Sequence, residues 1–251
     1  ARPGIEDVQL PFAGVEAYGS VLDTERVWTC AKRVYGETTA EHALTLILAG
    51  FRALGTFLPA TTWLPNRGRN LLEAPVTIIG AGGIGEALID LLEPFRCPVT
   101  VVRRSERPVK GAARTRPIDR LDEALTDARV VVLALALTPS TEGLVDAAVL
   151  DAMSEEAWLV NVARGRHVVT DDLVDALERG SIAGAALDVT DPEPLPDGHR
   201  LWSLENCLVT PHVANTHAML RPRLAALVTD NVRRRAAGEP LRGVVDPELG
   251  Y

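Results

Sequence analysis

Nothing in this sequence restricts the fold as much as the stretch Thr77-Ile78-Ile79-Gly80-Ala81-Gly82-Gly83-Ile84-Gly85. The apolar run Val76 to Ile79 has the length and composition of a short buried strand, and it leads directly into Gly-x-Gly-x-x-Gly at Gly80, Gly82 and Gly85. From Ile84 to Leu92 apolar residues recur at 84, 88, 91 and 92, as on one face of a helix. Strand, glycine turn and helix in that order suit a pyrophosphate. Gly80 permits the tight turn, Gly82 lets the backbone approach the ligand, and Gly85 lets the helix close on the strand. The free N–H groups and the dipole at the helix start, at Gly83 and Ile84, then face the anion. A glycine-rich turn also occurs as a plain loop; the strand before it and the helix after it favour the dinucleotide reading.

The rest of the chain repeats the strand-then-helix theme. Strands are expected at 76–80, 99–102, 130–135, 158–161, 185–188 and 208–210, with helices over 121–125, 145–153 and 171–179, the last stopped by Gly180. Strands that are apolar throughout and alternate with helices imply an α/β protein with a parallel sheet covered on both faces. Before this region, Val8-Gln9-Leu10 reads as a strand and Phe12-Ala13-Gly14-Val15-Glu16 as a loop. Thr38 or Thr39 is expected to cap a helix with an apolar stripe at Leu44, Ile47, Leu48, Phe51 and Leu54. Pro59, Pro65, Gly68 and Pro75 mark 59–75 as a linker. A long last helix is expected over 218–236, with Arg233-Arg234-Arg235 as a solvated, dipole-compatible end.

Composition narrows the function classes. A net charge of −8 does not favour a nucleic-acid partner, and no apolar run approaches membrane-spanning length. Cys30, Cys97 and Cys207 are odd in number and far apart, matching neither a metal site nor a disulfide framework. Reduced thiols, no secretory leader and a cytoplasmic setting are the expectation.

In open α/β sheets ligands sit beyond the carboxyl ends of the strands. There the sequence places Leu137-Thr138-Pro139-Ser140-Thr141, then Ala163-Arg164-Gly165, then Asp188 with Glu193 shortly after, then Thr210-Pro211-His212. Alone, each polar residue could be purely structural or solvated. Together they suit hydride transfer to a ketone: a histidine to protonate the developing alkoxide, a carboxylate to orient that histidine, and a guanidinium to grip a substrate carboxylate through paired hydrogen bonds. His212, Glu193 and Arg164 are therefore the candidate catalytic residues.

With these motifs in this order, the chain resembles the D-isomer-specific 2-hydroxyacid dehydrogenases. The resemblance rests on Ile78 to Gly85, Leu137 to Thr141, Leu159 to Gly165, Ala185 to Val189 with Pro192-Glu193-Pro194-Leu195-Pro196, and Thr210-Pro211-His212. It implies a Rossmann-type, doubly wound cofactor domain (59–213) inserted into a smaller α/β substrate domain (1–58 and 214–251), whose front part is expected to be truncated here. It further implies His212 as acid/base paired with Glu193, and Arg164 as the residue that binds the substrate's carboxylate and keto oxygen. The Ala13-Gly14-Val15 loop would hold the substrate carboxylate through backbone N–H groups. Asp188 would contact the nicotinamide carboxamide, and Leu137, Thr138, Thr141, Val162, Ala163 and His212 would lie along the cofactor. His42, His167, His199 and His217 carry no implied catalytic role. A homodimer acting on a small 2-oxo or 2-hydroxy acid is the implied assembly and substrate class, with Trp63 and Trp202 as candidate lining or packing residues. Two other readings of the same resemblance stay open: a dinucleotide-sensing, corepressor-like interaction protein, and an enzyme acting on formate or phosphite.

One departure bears on the cofactor. Where NAD-binding members carry an acid for the ribose 2′-hydroxyl, this sequence has Arg103, Arg104 and Ser105. Guanidinium groups attract a 2′-phosphate, so NADP is the preferred expectation and NAD the alternative.

Overall fold

The computed structural model describes residues 4–251; residues 1–3, which the sequence reading places in the first domain segment, lie outside them. The centre is a seven-stranded, all-parallel sheet, built from β3 (Val76–Ile79), β4 (Val99–Arg103), β5 (Arg114–Pro117), β6 (Val130–Leu133), β7 (Trp158–Asn161), β8 (Gly184–Leu187) and β9 (Cys207–Val209). Their spatial order is β5-β4-β3-β6-β7-β8-β9, so the chain winds outward from β3 in both directions and leaves a switch point between β3 and β6.

The continuous apolar runs follow from burial on both faces. Val76, Ile78, Val130, Val132, Trp158 and Val160 point to one face, where α1 (Gly36–Phe51) and α3 (Gly83–Leu92) supply Ile47, Phe51, Leu88 and Leu92. Ile79, Val131, Leu133 and Leu159 point to the other, where α4 (Leu121–Leu125), α5 (Ala147–Ala152) and α6 (Thr170–Arg179) supply Leu125, Leu150, Leu173 and Leu177. Alternate residues facing opposite covered layers favour apolar side chains at nearly every position.

A second, smaller assembly has its own core. β1 (Asp7–Gln9) and β2 (Val27–Thr29) form a two-stranded parallel sheet, and Leu10, Val15, Trp28, Cys30 and Val245 pack together beside it. The long α7 (His217–Ala237) lies against it through Leu227 with Ala31 and Tyr35, and through Asn231, whose amide donates to Gln9 Oε1 at 3.0 Å. Arg233 and Arg234 pair with Asp230, and Arg235 with Glu6 and Asp7. Each of the three is thus ion-paired within the chain, Arg233 and Arg234 sharing one carboxylate. Among the described residues no helix is long and apolar enough to cross a membrane.

Several expectations need correction. The helix expected to be capped by Thr38 or Thr39 starts at Gly36, with Tyr35 at its N-cap and no side-chain cap. A preceding turn already supplies the first bonds, Gly36 N to Arg33 O at 3.3 Å and Thr39 N to Tyr35 O at 3.1 Å. The helix expected from Val145 begins at Ala147, capped by Asp146 Oδ1, which accepts from Val149 N at 3.0 Å; Val145 instead bridges Val168 in parallel. The strand expected to 135 ends at Leu133, and β2 and β5 have no counterpart among the expected strands. A further short helix, α2 (Leu54–Phe57), follows α1. Residues 59–75 contain neither helix nor strand.

Candidate active site

The glycine turn has the shape that the anion-binding reading requires. Gly80 follows β3 with φ +115°, and a Cβ there would fall on the carbonyl of Ala134. A Cβ on Gly85 would lie 2.5 Å from the carbonyl oxygen of Gly80, so α3 can sit this close to β3 only without a side chain. Gly82, by contrast, has nothing within 4 Å of where its Cβ would be, and it forms the N-cap of α3 with no side-chain hydrogen bond. The first N–H groups of α3, from Gly83, Ile84 and Gly85, have no intrahelical partner and open onto this space. The turn therefore fits the pyrophosphate of a dinucleotide. At the end of the neighbouring β4, Arg103 is half-buried and Arg104 and Ser105 are exposed, with no acid among them.

The loop after β6 runs beside Gly80. Leu137 is buried, and Thr141 Oγ1 accepts from Thr138 N at 2.8 Å while donating to Ala136 O at 2.8 Å, which fixes the turn. His167, fully buried, donates Nδ1–H to Thr141 O at 2.9 Å; a carbonyl only accepts, so that nitrogen carries the proton. Burial pushes its pKa down, against the bond to the Thr141 carbonyl.

β7, β8 and β9 are neighbours, so Arg164, Asp188 and His212 leave the sheet side by side. After β7, Val162 and Ala163 are buried, and the Asn161 amide donates to Arg164 O at 2.8 Å while its Oδ1 accepts from Ala163 N at 3.0 Å. Arg164 Nη1 donates to Ala163 O at 2.7 Å, and Nε donates to Glu16 Oε1. Gly14 lies directly against this guanidinium, where a Cβ would overlap Nη2. The Ala13-Gly14-Val15 loop and Arg164 thus form one cluster, with Glu16 as a carboxylate already on the arginine. Burial works against ionised Glu16, yet the hydrogen bond and charge of Arg164 hold its carboxyl below the usual range.

Asp188 is buried at the end of β8. Its Oδ1 accepts from Thr210 Oγ1 at 2.6 Å and Val213 N at 2.9 Å, and its Oδ2 from Ala214 N at 3.0 Å. His42 Nε2, from α1, lies 3.1 Å from Oδ1. Burial opposes the charge, but the bonds from His42, Thr210, Val213 and Ala214 outweigh it and bring the pKa down to about 2. This anchor fixes the turn that carries His212. His212 N donates to Asp188 O at 2.8 Å, and His212 has φ +53°, a left-handed conformation uncommon for a residue with a side chain. Its Nδ1 lies 2.7 Å from Glu193 Oε1, leaving Nε2 for other chemistry. Gly165 presses on the Thr190 carbonyl, which brings the Arg164 loop against the segment leading to Glu193.

The sequence reading missed Glu16 on Arg164 and the hold of His42 on Asp188. Neither has a local signal, because each contact joins residues more than a hundred positions apart. Trp63 is 99% exposed and packs on nothing among the described residues; Trp202 is half-exposed, with its indole N–H on Pro196 O at 3.0 Å.

A doubly wound parallel sheet with a glycine turn at its switch point and a histidine–carboxylate pair at neighbouring strand ends defines a nucleotide-dependent oxidoreductase architecture. The family profile described as "D-isomer specific 2-hydroxyacid dehydrogenase, NAD binding domain" matches residues 44–214. The chain is 36% identical over 217 residues to the glyoxylate reductase/hydroxypyruvate reductase of Homo sapiens, covering 83% of this chain and 66% of that one. Its fold matches the D-isomer specific 2-hydroxyacid dehydrogenase of Xanthobacter autotrophicus Py2, solved with NADPH and MES, at a TM-score of 0.89 and 34% identity, covering 99% of this chain and 80% of that one. It also matches an NADPH-dependent glyoxylate/hydroxypyruvate reductase of Sinorhizobium meliloti, solved with NADP and sulfate, at a TM-score of 0.88 and 27% identity, covering 99% and 81%. The chain belongs to the D-isomer specific 2-hydroxyacid dehydrogenases, oxidoreductases that use NAD or NADP.

Proposed function

We propose that this protein reduces a small 2-oxo acid to the D-2-hydroxy acid, with NADPH as the preferred reductant. The observation that carries the reading is the His212–Glu193 pair at 2.7 Å, with His212 at the end of β9, next to the β8 end that carries Asp188 and one strand further from the β7 end that carries Arg164. A bound reduced nicotinamide would supply hydride to the keto carbon. The chain's own residues do the rest. Arg164 and the Ala13-Gly14-Val15 amides hold the substrate carboxylate, and Arg164 also polarises the keto oxygen. His212 gives its Nε2 proton to the developing alkoxide, while Glu193 keeps the ring oriented and stabilises the imidazolium. Asp188, fixed by four donors, stands where a carboxamide would be recognised. Arg103, Arg104 and Ser105 would take a 2′-phosphate, and Leu137, Thr138, Thr141, Val162 and Ala163 would line the cofactor.

The relatives named glyoxylate/hydroxypyruvate reductases support a short, polar 2-oxo acid. We read 1–58 with 214–251 as the substrate domain and 59–213 as the cofactor domain; the small core around β1, β2 and α7 supports the first, although α1 within it packs on the large sheet. Cys30, Cys97 and Cys207 form no disulfide, which suits a reducing, cytoplasmic setting, and burial pushes the Cys207 thiol up to about 12 and the Cys97 thiol up to about 11, leaving both poorly nucleophilic. The decisive assay follows the absorbance of NADPH and NADH in parallel against glyoxylate, hydroxypyruvate and larger 2-oxo acids. Turnover with NADPH above NADH is expected, and His212→Gln should lower kcat by roughly a hundred- to ten-thousand-fold. Cofactor binding without turnover on any acid would sink the reductase reading and favour a dinucleotide sensor.

A further inference from the structure

Three residues far apart in the sequence meet beside the β4 loop. The tail after α7 returns to β2, where Val244 bridges Thr29 and Cys30 N donates to Gly243 O at 2.8 Å. Asp246 Oδ1 then accepts from Glu248 N at 2.9 Å and Leu249 N at 3.1 Å, and Asp246 N donates to Tyr251 O at 3.1 Å, closing a turn that folds Tyr251 back. The Tyr251 ring centroid lies 5.2 Å from the Arg104 guanidinium carbon and 5.4 Å from Lys32 Nζ. Lys32 is exposed in the loop between β2 and α1. Its neighbour Arg33 pairs with Glu86 on α3 and touches Gly83 of the glycine turn.

One aromatic ring therefore gathers two cations from different parts of the chain, next to the strand end where a ribose 2′-substituent is recognised in this fold. Neither cation has a carboxylate within ion-pair distance among the described residues, whereas the nearby Arg33 does. Two cations without carboxylate partners gathered at one ring favour an anion of about two charges beside them. An exposed arginine on a loop loses much side-chain freedom on binding; a guanidinium resting on an aromatic face has already lost part of it.

We propose that Tyr251 and Lys32 complete a 2′-phosphate subsite with Arg104. Tyr251 is the positioning residue that holds the Arg104 plane, and Lys32 is a direct phosphate ligand brought from the small unit. This rests on the NADP reading of Arg103 to Ser105. The site discriminates a phosphorylated from a free 2′-position, and it makes the β2–α1 loop and the tail part of cofactor selection.

The test is calorimetric titration of the full chain with NADPH, NADH and adenosine 2′,5′-bisphosphate. Tyr251→Ala should weaken NADPH and the bisphosphate by about three- to thirty-fold and leave NADH within about twofold, while Tyr251→Phe keeps wild-type values. Lys32→Ala should weaken the two phosphorylated ligands by about tenfold and flatten the salt dependence of their binding. Unchanged NADPH affinity in both alanine variants, alongside a loss in Arg104→Ala, would overturn the subsite and leave the NADP reading standing. Equal weakening of NADPH and NADH in Tyr251→Ala would reduce the tail to a structural role and overturn it as well. A wild-type chain that binds NADH as tightly as NADPH would overturn the NADP reading and the subsite together.

Discussion

Asp188 shows how one buried side chain sets the geometry around it. Its carboxylate accepts from two backbone N–H groups and a threonine hydroxyl, with His42 beside it, and the resulting anion anchors the turn of residues 212–214. Its pKa in the folded chain is about 2 against an ordinary value of 3.8, so its stabilising contribution is complete above about pH 4 and fades as the pH falls toward 2. Asp188→Asn should cost on the order of 2 kcal/mol at neutral pH, with the gap to wild type closing between about pH 4 and pH 2 in urea denaturation. A gap that stays constant down to pH 2 would place the cost elsewhere than in the charge. Glu16 offers a second test. Its carboxylate occupies Arg164 Nε, where a substrate carboxylate would have to share the guanidinium with a like charge. Glu16→Gln should lower the KM for 2-oxo acids a few-fold, the scale of a partly exposed charge pair. A higher KM in steady-state assays would mean that Glu16 orients Arg164 rather than competing for it. Arg164→Lys should instead raise KM, because an ammonium cannot make a two-pronged contact.

Among the elements, the β3–α3 junction is the least forgiving. A Cβ on Gly85 would lie 2.5 Å from a backbone oxygen, which cannot swing aside as a side chain can. Gly85→Ala should cost about 1–3 kcal/mol and weaken dinucleotide binding, measured by denaturation and titration of the same sample; unchanged values for both would show that α3 slides freely. This junction is also the most legible part of the sequence, since three glycines so spaced between an apolar run and a helical stripe mark both the turn and the close packing behind it. β3, β4 and β6 to β9 are legible because nearly all of their residues are apolar, as strands packed between covered layers require. β5, Arg114–Pro117, escapes because it lies at the sheet edge and reads as polar, and β2 escapes because it is three residues long in a turn-rich region. The start of α1 is hidden because a backbone turn, not a threonine, satisfies its first N–H groups. At the site, the strand ends are legible one by one. The pairing of Arg164 with Glu16 is not, for no sequence periodicity links a loop to a residue in another unit.

For the whole molecule, the segment following α1 exposes apolar surface that none of the described residues covers: Trp63 is 99% exposed and Leu58 78%. Together they support the homodimer proposed from the family resemblance. The chain is expected to sediment at twice its mass, and Trp63→Ser to shift it toward single chains at low concentration; a wild-type monomer across the accessible range would sink the proposal. The parallel winding of the large sheet has a consequence for descent as much as for chemistry. Gly80, Arg104, Thr138, Arg164, Glu193 and His212 all lie in loops beyond the carboxyl ends of the strands, outside the two apolar layers that hold the sheet together. Changes in separate loops that share no partners combine nearly additively. A lineage could therefore exchange its coenzyme at the β4 loop and its substrate at the Gly14 loop in independent steps, each tried on a scaffold that still folds.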